Sequence, residues 1–224
     1  GANTATSVAH NLTKDTVAPA IAMTTPADAT IIGAADDSAT YAVNGTCSES
    51  GQTVAIEIDA VAAASQAGFI CDGTNFTGTI DTTGLTDATY AFTAIITDAA
   101  GNATTSTTNN ITKDATAPAL AITSPADASY INIATDGATF TVSGTCDENA
   151  QTVVIKVDGG AATSPLGFVC DGANFTGTID TTGLTDGATL AFTAELTDAG
   201  SNTGVSTANN ITKDVTAPTI AMTT

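Results

Sequence analysis

The sequence predicts an all-β chain built from β-sandwich domains in tandem, and three observations carry that expectation. The first is a recurring octapeptide, LTKDTVAP at 12–19, ITKDATAP at 111–118 and ITKDVTAP at 211–218. Its prolines, Pro19, Pro118 and Pro218, set a period of 99 and then 100 residues, and about 100 residues is the length of one sandwich domain. The second is period-2 alternation of apolar residues, broken by turn residues at short intervals. The third is composition. The chain is 42% hydrophobic but only 4% aromatic, so each repeat can build a core, and that core should be aliphatic. Thr, Ala, Asn, Asp and Gly dominate, and they suit short strands and polar turns better than helices.

The octapeptide reads as the end of one strand, a short hinge, and a proline before the next strand. Pro lacks an N–H and fixes its own φ, so it fits where sheet pairing stops. Full repeats are therefore expected over 19–117 and 118–217. Residues 1–18 match 100–117 and read as the last strand of a preceding repeat. Residues 218–224 match 19–25 and read as the first strand of a following one. The expectation is a window onto a longer array.

Within the first repeat, the first strand is PAIAMTT (19–25), with Ile21 and Met23 on one face. After a turn at 26–30, the second strand (39–46) points Tyr41 and Val43 inward. The third (52–59) does the same with Val54, Ile56 and Ile58. A small-residue loop leads to a fourth strand, GFIC (68–71). The fifth (76–81) turns Phe76 and Ile80 inward, and Leu85 in the next turn plugs the end of the sandwich. The sixth (89–96) buries Tyr90, Phe92, Ala94 and Ile96. A turn at 98–102 opens the seventh, which ends at the octapeptide. The second repeat copies this order. Its one extra residue falls near Gly187, in the turn between the fifth and sixth strands, where an insertion does least harm.

The combined order of motifs is G-T-C-x-E, an alternating strand, C-D-G-x-x-F, L-T-D, D-x-x-G-N and K-D-x-T-A-P. It resembles the bacterial immunoglobulin-like repeats of large surface and biofilm adhesins. The resemblance covers both full repeats and both end pieces. In the second repeat DAGSN departs from D-x-x-G-N, because the glycine moves one place. The resemblance implies tandem immunoglobulin-like β-sandwiches arranged end to end, acting as stalk units and not as the tip that binds a target.

Cys47 and Cys71 in the first repeat match Cys146 and Cys170 in the second. The second strand runs up to Cys47 and the fourth up to Cys71, so both sit at one end of the sandwich. A bond within each repeat would tie two turns together and contribute about 3 kcal/mol in the chain-entropy model. It would also imply an oxidising compartment. Buried free thiols are the alternative. No C-x-x-C pair or nearby His suggests a metal site.

The net charge is −19, with four Lys, no Arg and one His. Nucleic acid and anionic membranes are poor partners, since both require a basic face, and no apolar run reaches the length of a membrane-spanning helix. The acids have a pattern. The turns at one end of the first repeat carry Glu49, Asp72, Asp98 and Asn102, and the seam adds Asp15. The second repeat supplies Glu148, Asp171, Asp198 and Asn202, with Asp114 at its seam. Hard oxygen donors therefore converge beside each hinge, and Ca²⁺ takes about six to eight such oxygens in irregular geometry. The opposing expectation is that Asp and Asn simply cap turns through their own side chains. No catalytic constellation is expected. His10 stands alone, and Lys14, Lys113 and Lys213 recur in the seam, where pairing with the adjacent Asp or solvation suffices. The sequence thus points to a non-catalytic, extracellular segment of a bacterial surface protein. Its partners would be neighbouring repeats or lateral copies in a fibre. A carbohydrate-binding module and an accessory module of a secreted enzyme are the rival readings.

Overall fold

A computed structural model describes residues 1–222 of the chain. It divides into two compact units, one of Gly1–Ile32 with Asp36–Lys113, the other of Gly33–Ala35 with the chain from Asp114 on. Every regular element among the described residues is a strand.

The first unit holds nine strands: β1 (Ile21–Thr25), β2 (Ile31–Ile32), β3 (Tyr41–Cys47), β4 (Val54–Ile58), β5 (Val61–Ala62), β6 (Asn75–Ile80), β7 (Ala88–Thr97), β8 (Ala103–Thr105) and β9 (Asn109–Lys113). They form two sheets, β1-β3-β6 and β2-β9-β7-β4-β5, with β8 continuing alongside β7. The alternation read from the sequence places the core between them. Val43, Val54, Ile56, Phe76, Ile80, Phe92, Ala94, Ile96 and Ile111 are all buried, and Leu85 packs against them as a plug. All pairs are antiparallel except β2 with β9, which is parallel through Ile31↔Thr112 and Ile32↔Lys113.

Two local features depart from the sequence reading. First, the chain from Pro19 does not stay in one sheet. β1 pairs with β3, and then β2 crosses to the other sheet. The crossing is held by polar turn chemistry. Asn109 Nδ2 donates to the Pro26 carbonyl at 2.7 Å, and Asn110 N–H donates to Asp28 Oδ1 at 2.7 Å. Second, GFIC is not a strand of one sheet. Ala67 bridges Thr79 of β6, and three residues later Ile70 bridges Thr53 beside β4. The segment changes sheets at Gly68, whose φ of 87° lies where a side chain would be strained. Phe69 drops into the core at this step.

The second unit repeats the plan with β10 (Leu120–Ser124), β11 (Tyr130–Asn132), β12 (Phe140–Cys146), β13 (Asn149–Val157), β14 (Gly160–Ala161), β15 (Thr163–Leu166), β16 (Val169–Asp171), β17 (Asn174–Asp180), β18 (Thr189–Thr197), β19 (Thr203–Val205) and β20 (Asn209–Asp214). Here the sheet-changing segment is regular enough to give β15, on β17, and β16, on β13. The extra residue near Gly187 becomes a β-bulge. In the first unit Ala88 alone opposes Lys113. In the second, Gly187 N–H donates to the Lys213 carbonyl, and Lys213 N–H donates to the Ala188 carbonyl. Two residues therefore face one, with Gly187 at φ 76°, the geometry of a bulge that calls for glycine.

The end segments read as partial strands, 1–18 and 218–224, carry no strand in their described part. Val17 N–H is held by the Asp15 carboxylate instead of a ladder partner. Thr223 and Thr224 lie outside the described residues.

Candidate functional site

Both cysteine pairs are disulfides, Cys47–Cys71 and Cys146–Cys170, each spanning 24 residues in sequence. Each joins the end of β3 or β12 to the sheet-changing segment. That segment has few ladder bonds of its own, so the cross-link fixes what pairing leaves loose.

In each unit an aspartate and an asparagine meet across one acidic turn. In the first, Asp98 accepts Asn102 N–H at 2.8 Å on Oδ1 and Asn102 Nδ2–H at 2.8 Å on Oδ2. These bonds, led by the Asn102 side chain, hold its carboxyl below the usual range. Asn102 Nδ2 also reaches the Asp15 carbonyl at 3.5 Å, while the Asp15 carboxylate turns back to Val17 N–H. In the second unit Asp198 and Asn202 make the same two contacts, and Asn202 Nδ2 donates to the Asp114 carbonyl at 2.7 Å. Asp–Asn across each turn thus clips the incoming seam through its backbone. Asp72 and Asp171 cap their own turns through Thr74, Asn75, Ala173 and Asn174 N–H.

Glu148 differs from these. Burial first, then the charges of Asp147, Asp198 and Asp114, push its carboxyl above the usual range. Negative charge is therefore gathered around Glu148. Yet among the described residues no three acidic, His or Cys side chains converge closely enough to cage a metal ion. The oxygens of Asp98 and Asp198 are already occupied by Asn102 and Asn202.

Two of the seam lysines are buried, each against an aspartate far away in sequence, while Lys14 is exposed. Lys113 is 4% exposed and meets Asp37 Oδ2 at 2.7 Å, and it donates to the Thr82 carbonyl at 2.9 Å. Thr82, fully buried, donates from Oγ1 to Asp37 Oδ1 at 2.8 Å and accepts from Ser38 N–H. The second unit repeats every part. Lys213, 3% exposed, meets Asp136 Oδ2 at 3.0 Å and the Thr181 carbonyl at 2.9 Å, and Thr181 Oγ1 bonds Asp136 Oδ1 at 2.8 Å. Lys113 leads the causes that hold the Asp37 carboxyl low, and the Thr181 hydroxyl leads for Asp136. The sequence held one signal for this. In NNITK, residues 109, 111 and 113 alternate inward with the core, so Lys113 had to be buried and had to find a partner.

A cavity of about 320 Å³ opens in the first unit beside Ile58, Val61, Ala63, Leu85 and Tyr90. Its walls are mostly apolar, and the Tyr90 hydroxyl already donates to the Thr86 carbonyl. In the second unit the place of Tyr90 is taken by buried Leu190.

No family model matches the chain, and no curated protein matches it. Solved structures do. One, described as a Ca²⁺-stabilized adhesin that helps an Antarctic bacterium reach out and bind ice, is 24% identical. The match covers 91% of this chain and 50% of that one, with a TM-score of 0.50. This chain thus spans half the length of that structure. A 1.5-MDa bacterial ice-binding adhesin is 22% identical over 90% of this chain and 67% of that one, with a TM-score of 0.48. The fibronectin(III)-like modules of Clostridium thermocellum CbhA are 12% identical over 88% of this chain and 94% of that one, with a TM-score of 0.43. At such identities the likeness speaks for the fold alone, an immunoglobulin-like β-sandwich.

Proposed function

We propose that this chain is a non-catalytic stalk segment of a long extracellular bacterial surface protein, extending or spacing an adhesive tip. The observation that carries the reading is the duplication of structural fittings in both units. The disulfide, the Asp–Asn seam clip and the buried Lys–Asp–Thr cluster recur at equivalent places in both units. At the cavity beside Tyr90, by contrast, the lining differs, since buried Leu190 stands in the place of the tyrosine. Repetition of what holds a module together, with drift elsewhere, suits a spacer. Disulfides suit export, no helix among the described residues is long and apolar enough to cross a membrane, and adhesins occur among proteins of this fold.

In this reading successive repeats would follow one another end to end, each advancing the stalk by about 40 Å, from roughly 3.3 Å per residue plus end turns. Neighbouring repeats and lateral copies are the partners. Calcium acts at the seams as a counterion for the acids around Glu148, with Asp114, Asp198 and Asn202 close by in the second unit. Asp15, Glu49, Asp98 and Asn102 are the corresponding residues of the first unit in this proposal. Small-angle scattering with calcium and with chelator tests this. An extended particle that straightens with calcium is expected, and a compact one sinks the stalk. Calorimetry should show calcium binding that Glu148→Gln weakens. A ligand-binding module is the second reading, favoured by the cavity beside Tyr90. A glycan array that lights up with the chain and goes dark with Tyr90→Ala would establish it instead.

A further inference from the structure

Tension on a stalk enters each unit through its first strands and leaves through its last. In the first unit that path ends on β9, and β9 lies parallel to β2. Pulled from opposite ends, two parallel neighbours slide along each other, so their hydrogen bonds must fail together. That ladder is short, two paired positions for β2 with β9 and three for β11 with β20. Something beyond it has to resist sliding.

We infer that the Lys113–Asp37–Thr82 cluster, and its counterpart Lys213–Asp136–Thr181, is a tension latch that locks the last strand of each unit against being drawn out. The inference rests on the stalk reading and adds to it a device and its residues. Lys113 is the final residue of β9. Its ammonium holds Asp37, in the loop after β2, and the Thr82 carbonyl, in the turn after β6. Thr82 closes the triangle through its hydroxyl on Asp37. Three segments far apart in sequence are thus tied at the point where load leaves the unit.

Equilibrium stability alone is a poor reason for such a cluster. A buried ion pair repays little more than its desolvation cost, and apolar replacements often do as well. Its advantage appears when the partners are drawn apart. Separating them by a small distance leaves a buried charge uncompensated, so resistance rises steeply and early. Both units keep all three residues, although nearby positions differ, Ser38 against Gly137 and Tyr90 against Leu190.

The test pulls the whole chain by its ends in an optical trap. Lys113→Met keeps the aliphatic stem and removes the charge, and the second unit serves as reference within the same molecule. The expected result is one unchanged unfolding event and one whose lifetime at a given force falls by roughly tenfold or more. That fall must exceed the change in unfolding rate measured without force by denaturant jump. An equal change with and without force would make the cluster an ordinary stability element and overturn the latch. An unchanged lifetime would overturn it as well. Asp37→Asn, which keeps the shape and an acceptor for Lys113, is the second variant should Lys113→Met fold poorly, and the same outcomes decide. Scattering of the unaltered chain judges the stalk separately. A strong latch in a compact particle would remove the stalk and keep the latch, and an extended particle with a weak latch the reverse.

Discussion

Gly78→Ala should weaken the first unit far more than one methyl group suggests. Gly78 lies in β6, under the segment that changes sheets. A Cβ there would sit 2.5 Å from the Ala67 carbonyl oxygen and 2.7 Å from two carbons of the Phe69 ring. Ordinary non-bonded contacts lie near 3.5 Å, so one neighbour must retreat by about 0.8–1 Å. Neither can do so freely. Ala67 is fixed to Thr79 by bonds in both directions, 3.0 and 2.9 Å. Phe69 is 4% exposed and packs on Phe76 with ring centroids 6.3 Å apart. Overpacking of this kind costs about 1–3 kcal/mol, and losing one of the Ala67–Thr79 bonds adds about 1 kcal/mol. A cost of about 3 kcal/mol corresponds to a fall of roughly 12–24 °C in the melting temperature of a unit this size. Calorimetry should resolve it, with the second unit's transition unmoved. Gly84→Ala is the control, since a Cβ there meets nothing within 4 Å. If Gly78→Ala melted within about 2 °C of the parent chain, the claim that the sheet-changing segment is rigidly seated would be wrong.

Other consequences can be measured on the same chain. Replacing Cys47 and Cys71 by Ala should cost the first unit about 3.5 kcal/mol from loop entropy, read as a lower urea midpoint for that unit; an unmoved midpoint would mean the reduced chain is already constrained. Gly187→Val should lower the second unit's stability by about 1 kcal/mol or more, because φ at the bulge is positive, whereas deleting Gly187 should be nearly neutral, since the first unit closes the same turn without it. Asp37 and Asp136 are held low in the folded state, so their stabilisation is present above the unfolded value of 3.8 and is lost as pH falls through the lower folded one. Urea midpoints for both units should therefore drop below about pH 4. Glu148 has the opposite sign. Its raised value penalises the folded state at neutral pH, and the penalty lifts as pH falls through that value toward the ordinary 4.5. Glu148→Gln should raise the second unit's midpoint at pH 7 and leave it unchanged near pH 4, and a lower midpoint at pH 7 would refute the crowding of charge.

What the sequence determined by itself is local and periodic. Alternation fixed which face of each strand is buried, because side chains in a strand point to opposite sides by turns. Alternation alone therefore places residues such as Val54, Ile56 and Ile58, or Phe92, Ala94 and Ile96, on the inward face. The octapeptide spacing fixed the repeat length, and the equal 24-residue separation of the cysteines pointed to a bond within each repeat, which the structure then showed. The Asp–Asn turns were legible as oxygen-rich groups, though not that each Asn would occupy its own Asp. Tertiary structure decided whatever depends on residues distant in the chain. Pairing is a choice among neighbours, and no local pattern says that β2 will join β9 or that GFIC will leave one sheet for the other at Gly68. Nor does it say which carboxylate will meet a buried lysine. Lys113 lies on the inward face of its strand, so the ammonium turned into the core and only the packing of the 36–38 loop and the 81–85 turn could bring it Asp37 and Thr82.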